Sequence, residues 1–128
     1  MDRSPSQRWL KQAEEDLKTA RVNREEERYY AAALFAQQAA EKALKALIIK
    51  QTGQLAPKIH DVAELAGGLG LPAHLNDSIE RLVPVYLMSR YPDATPDATV
   101  PAEFYTDTQA APLVEAADEV LQWVKTNL

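Results

Sequence analysis

The chain has 128 residues, 46% hydrophobic and 26% charged, the values of an ordinary globular domain. It has no cysteine, which excludes disulfides, iron–sulfur clusters, cysteine-based zinc sites and thiol nucleophiles. The net charge of −5 disfavours an extended nucleic-acid surface, and no apolar run reaches the ~18–20 residues of a membrane span.

The opening Met1-Asp2-Arg3-Ser4-Pro5 lacks an apolar signal core, so a cytoplasmic protein is expected. Charge is unevenly spread. Residues 1–30 balance, residues 31–60 carry +3, and residues 61–128 carry −8. A small basic site on residues 42–58 remains open, beside the plainer reading of a solvated helix face.

The first helix is predicted over about residues 5–24. Ser4 can cap it, Pro5 suits its first turn, and Gln7 completes a capping box. At about 100° per residue, Trp9, Leu10, Ala13, Leu17 and Ala20 fall on one stripe. The charged run 23–28 holds the turn. The second helix is predicted over about residues 28–51, with Gly53 placed for a left-handed cap. Half of its wheel is rich in alanine (Ala36, Ala39, Ala40, Ala43, Ala46), which lets neighbours approach closely and marks it as the central helix. The other half carries Gln37, Gln38, Glu41, Lys42 and Lys45, flanked by Leu34, Ile48 and Ile49. Such a mixed face suits a subunit interface or a rimmed pocket.

A Gly/Pro loop covers residues 52–59. Asp61 caps a short third helix with Glu64 three residues on, and Gly67, Gly68 and Gly70 end it. The fourth helix is predicted over about residues 73–83, limited by Pro84. Residues 92–105 read as irregular, though Phe104 and Tyr105 need cover. The last helix spans about residues 107–126, where Pro112 is tolerable only in the first turn. The reading finds no strand pattern and no internal repeat. The expected fold is all-α, an antiparallel up-and-down bundle of about five helices in one domain: two long N-terminal, two short and one C-terminal.

Three groups could carry chemistry. His60-Asp61 could hold a phosphate by imidazole and helix amides, or Asp61 could simply cap while His60 packs in the loop. Arg90-Tyr91-Pro92 could grip a carboxylate or phosphate, or Arg90 could pair with Asp16, Glu41 or Asp61. Gln38, Glu41, Lys42 and Lys45 sit at three- and four-residue spacings and either form a site or pair along the helix. His74 reads as a surface or capping residue. Two histidines fourteen apart give no metal site, and no cofactor is implied. The chain has no Gly-x-Ser-x-Gly elbow, no His-Glu-x-x-His and no dinucleotide fingerprint.

Four pieces in order resemble one family. Trp9-Leu10-x-x-Ala13-x-x-Asp16-Leu17-x-x-Ala20 resembles the first helix of HEPN domains (higher eukaryote and prokaryote nucleotide-binding). Phe35-Ala36-Gln37-Gln38-Ala39-Ala40-Glu41-Lys42-Ala43-Leu44-Lys45-Ala46 resembles the second. His60-Asp61-Val62-x-x-Leu65 and Ser89-Arg90-Tyr91-Pro92 are similar to later family motifs. The resemblance implies a helical bundle that self-associates as a dimer or larger homo-oligomer. It also implies pairing with a separately encoded minimal nucleotidyltransferase, as in toxin–antitoxin operons. Similar bundles form the C-terminal domain of kanamycin nucleotidyltransferase. Some members are metal-independent ribonucleases that carry an arginine, four to six residues, then a histidine. That signature is absent: no arginine stands at that spacing before His60 or His74. Without it, cleavage of RNA lacks its usual proton carrier.

The reading that results is a non-catalytic module binding a nucleotide or a nucleotidyltransferase. Glu41, Lys42, Lys45, His60, Asp61, Arg90 and Tyr91 form its polar site. The lysines and Arg90 meet phosphates, Tyr91 stacks on a base, and Asp61 orients His60. The alternative is a ribonuclease with a rearranged centre.

Overall fold

A computed structural model describes residues 3–128. α1 runs Pro5–Glu25 and starts as the sequence dictates: the Gln7 amide donates to the Ser4 hydroxyl at 3.2 Å, and the Ser4 amide donates to Gln7 Oε1 at 2.8 Å. A tight turn with Glu27 at φ 61° leads to α2, Tyr29–Thr52. Gly53, at φ 69°, ends α2 in the left-handed conformation that glycine adopts at least cost.

α2 is the central helix. Ala32, Ala33, Ala36, Ala39, Ala40, Ala43 and Ala46 are wholly buried. Their small size brings α1 close enough for the Ser6 hydroxyl to donate to the Ala46 carbonyl at 2.9 Å. The closing helix, which packs against both, pairs Asp107 with Arg24 at 2.7 Å and Asp118 with Arg21 at 3.3 Å. Rising numbers on one helix meet falling numbers on the other, so this helix is antiparallel to α1 and parallel to α2.

Short elements fill the connection. α3 is Val62–Ala66. A 3-10 turn, Ala73–Leu75, leads into α4, Asn76–Leu82, and α5 follows as Val85–Met88. α6 is a single turn, Pro101–Phe104, and α7 is the closing helix, Asp107–Asn127. The architecture is the expected all-helical bundle. Leu44, Leu47, Val62, Leu82, Val120 and Val124 lie at the centre of one apolar core. Among the described residues no helix is long and apolar enough to cross a membrane.

Four local expectations need correction. The fourth helix is split, because Ala73–Leu75 is wound as a 3-10 turn ahead of α4. The stretch 92–105 contains α6, which starts at Pro101, a residue suited to a first helical turn. Tyr105 behind it is buried, as its need for cover required. Pro112 lies inside α7, past the first turn. The carbonyl that loses its partner there is that of Thr108, an exposed residue whose backbone water can serve. Finally, residues 92–99 spell Pro-Asp-Ala-Thr twice, a short repeat that the reading for helical and strand periods passes over. The second copy makes a turn with Asp97 and Ala98 both at positive φ (56° and 58°), closed by the Thr99 amide on the Pro96 carbonyl at 3.1 Å.

Candidate functional site

Three residues of the polar half of α2 face inward. Gln37, Glu41 and Lys45 are only 1%, 4% and 4% exposed. Residues 53–60 leave the end of α2 and run back along it, bringing His60 beside Gln37 and Glu41. Trp9 of α1 covers Lys45, whose ammonium sits 5.5 Å from the indole centroid. Of the two expectations for the mixed face, a subunit interface or a rimmed pocket, the cover by Trp9 and His60 from within the chain fits the rimmed pocket. No backbone N–H from Leu55 to His60 reaches a protein acceptor among the described residues. The cover is therefore held by side chains and by the His60 carbonyl, which accepts from Gln37 Nε2 at 3.1 Å.

Buried charge must be paired, and here it is. Lys45 donates to Glu41 at 3.1 Å, Gln37 Nε2 adds a 3.2 Å contact to the same carboxylate, and His60 Nδ1 lies 3.3 Å from both Glu41 oxygens. Gln38 Nε2 donates to Gln37 Oε1 at 2.7 Å and its own carbonyl accepts from Lys42 at 3.3 Å. Lys42 in turn meets buried Asp16 at 2.6 Å, a carboxylate also held by Gln12 at 2.9 Å. One hydrogen-bonded network thus runs from Asp16 on α1 to His60.

An aromatic ring extends it. The His60 imidazole stacks on Tyr86 of α5, centroids 4.4 Å apart and planes 8° from parallel. The Arg90 guanidinium also packs on the Tyr86 ring, 4.4 Å from its centroid. With Nδ1 on Glu41, the other imidazole nitrogen is free, and the His60 side chain is 53% exposed. Arg90 differs from the other cations of the network. Asp16 is taken by Lys42, Glu41 by Lys45 and His60, and Asp61 by the α3 amides of Ala63 (2.8 Å) and Glu64 (3.3 Å). Among the described residues Arg90 has no ion-pair partner, and its Nε is buried without an acceptor. Three cations of the network face two carboxylates, and the excess sits on Arg90.

The sequence-predicted residues divide accordingly. Glu41, Lys42, Lys45, His60 and Arg90 come together. Asp61 serves as the cap of α3, and the carboxylate that orients His60 is that of Glu41 instead. Tyr91 lies next to Arg90 in the chain and is 46% exposed, but the ring that organises the site is Tyr86. Sequence reasoning passed over Tyr86, although it stands only four residues before Arg90. It also missed that Asp16 and Gln37 are buried links. Among the described residues no group of three or more His, Asp or Glu side chains is placed to share a metal ion.

Comparison with known proteins agrees with this architecture. A family model of the HEPN domain matches residues 6–127. The crystal structure of TT1696 from Thermus thermophilus superposes with a TM-score of 0.88 at 30% identity, over 96% of this chain and 98% of that one. ST0689, an archaeal HEPN homologue, superposes with a TM-score of 0.81 at 34% identity, over 99% and 98%. No curated protein matches. A helical bundle matched by the family model over residues 6–127, with two such neighbours over nearly their full length, means that the chain belongs to the HEPN domain family.

Proposed function

We propose that the protein is a non-catalytic HEPN-type module that binds a nucleotide at His60, Tyr86 and Arg90. Its partner would be a separately encoded minimal nucleotidyltransferase, in a toxin–antitoxin pairing. The observation that carries the ligand is the unpaired Arg90. In a chain with 19 acids and 14 bases, every acid of the network is committed to another group, and Arg90 alone among its cations keeps all its donors free. A guanidinium packed on a ring at 4.4 Å is preorganised for a phosphate. The free nitrogen and exposed ring of His60 supply a second polar contact and a stacking surface, and the exposed Tyr91 follows Arg90 in the chain. Lys42 and Lys45 hold Asp16 and Glu41 in place behind this surface.

Calorimetric titration with nucleoside mono-, di- and triphosphates tests the reading. Saturable binding that Arg90→Ala abolishes supports it. No binding by the wild type, or equal binding by the variant, discards it. Co-expression with the product of an adjacent short nucleotidyltransferase gene tests the partner, and separate elution on size exclusion refutes it. The surface we assign to self-association is Leu87 and Tyr91, exposed apolar residues near Arg90 in the chain. Leu87→Asp should then shift sedimentation towards the monomer.

A second reading is a metal-independent ribonuclease. It is favoured by one observation: His60 and Arg90, far apart in sequence, pack on the same Tyr86 ring, with Glu41 fixing the imidazole. RNA degraded in the presence of a chelator by the wild type, and left whole by His60→Ala, would establish it. RNA that stays intact through long incubation with the wild type removes it.

A further inference from the structure

A second recess lies on another side of Lys42, between the first two turns of α1 and the start of the covering loop. It comprises two adjoining hollows of about 550 and 570 Å³, both walled by Pro5, Trp9 and Leu55. Leu55 is 93% exposed, far more than any other large apolar side chain of the chain's described residues. It stands on the loop just after Gly53 and faces the recess together with Trp9. Lys45, itself buried, packs on the indole, so the ring is fixed from the inner side and its remaining surface is turned to the recess.

Among the described residues the charged groups lining this recess have one sign. Arg8, Gln12 and Lys42 line one hollow, and among the described residues no aspartate or glutamate lines either. That is unusual in a chain of net charge −5. Among the described residues Arg8 has no ion-pair partner. Lys42 spends two of its three N–H donors on Asp16 and Gln38, and the third is free. The volumes lie in the range of small-ligand sites, which pair apolar walls with a few placed polar groups.

We infer that this recess is a ligand site for a flat, apolar anion, such as an aromatic carboxylate. Its ring lies against Trp9 between Pro5 and Leu55, and its charge meets Arg8 and the free N–H of Lys42. The site is separate from Arg90 and does not depend on nucleotide binding there.

Three probes of one shape test it: naphthoate, the neutral naphthamide and the cationic naphthylmethylammonium. Binding is read by calorimetry and by the indole N–H resonance of Trp9, assigned with Trp123→Phe. Naphthoate should bind saturably and about tenfold more tightly than the amide, with the cation weakest. Arg8→Glu should remove that preference, and Leu55→Asp should weaken naphthoate about tenfold or more. Both positions are exposed, so both variants fold. Arg90→Ala should leave naphthoate binding unchanged. The inference is overturned by absence of saturable binding, by equal affinity for the three probes, or by indifference to Arg8→Glu and Leu55→Asp. It is equally overturned if Leu55→Asp dissociates a dimer while naphthoate fails to bind, since a second copy would then be the occupant.

Discussion

Glu41 and Lys45 form an ion pair at 3.1 Å, one helical turn apart on α2, with 5% of either side chain exposed. Taking one partner away strands the other in a site from which water is excluded. Glu41→Gln should therefore cost about 3–5 kcal/mol in chemical denaturation, whereas Glu41→Leu combined with Lys45→Met should cost much less than the sum of the single changes. Additive losses would show that the pair is not coupled.

Tyr86 seats both His60 and Arg90 by its ring, not by its hydroxyl, which makes no hydrogen bond among the described residues. Tyr86→Phe should keep nucleotide affinity within about twofold, while Tyr86→Leu should lower it about tenfold or more. Titration of the three proteins decides it, with circular dichroism to verify that each is folded.

Asp61 separates capping from binding. Asp61→Ala leaves two α3 amides without their acceptor and should lower stability by about 1 kcal/mol. Because the carboxylate of Glu41 holds His60, ligand affinity should be unchanged. A parallel loss of binding in calorimetry would give Asp61 a direct role.

Ala98 adopts φ 58° in the turn 96–99, where a side chain is strained. Ala98→Gly should raise the unfolding free energy by about 0.5–1 kcal/mol, the relief of strain exceeding the added freedom of the unfolded chain. An unchanged or lower midpoint in urea would contradict this.

Burial pushes the Tyr105 phenol up from 10.0 to about 12. The folded state keeps its proton where the unfolded chain has lost it. This contribution is full below pH 10, declines as pH rises and is gone above about pH 12. The melting temperature of the wild type should thus fall over that interval more steeply than that of Tyr105→Phe. At the acid end, Arg24 holds the Asp107 carboxyl below its ordinary value, and Lys18 and Lys11 do the same for Glu15. That stabilisation is present above the ordinary carboxylate range and is lost as pH falls through the lowered values; salt weakens it because both groups are exposed.

Much of the bundle was legible because its signals are local. Ser4 and Gln7, Asp61 with Glu64, and Gly53 mark helix ends by short-range hydrogen bonding, and the alanines of α2 mark the closest packing in the fold. Pro112 misled because a missing N–H is costly only where its partner carbonyl is sealed from water, and Thr108 is not. The inward turn of Gln37, Glu41 and Lys45 was not legible. Helical spacing shows that these residues share a face but not which loop closes over it, and the loop that does so has no periodicity to read. Tyr86 was hidden for the same reason: its partner His60 comes from that loop, and only the folded chain brings the two rings together.

The segment from Leu55 to His60 ends with His60 on the Glu41 carboxylate and gives no amide to any protein acceptor among the described residues. Most excursions of a bundle are resisted because they wet apolar surface. Lifting this segment instead rehydrates the Glu41 carboxylate, which returns part of the energy of detachment. Breathing of the molecule should begin here. Each such event would bring Glu41 into contact with solvent while the alanine-packed helices beneath stay dry.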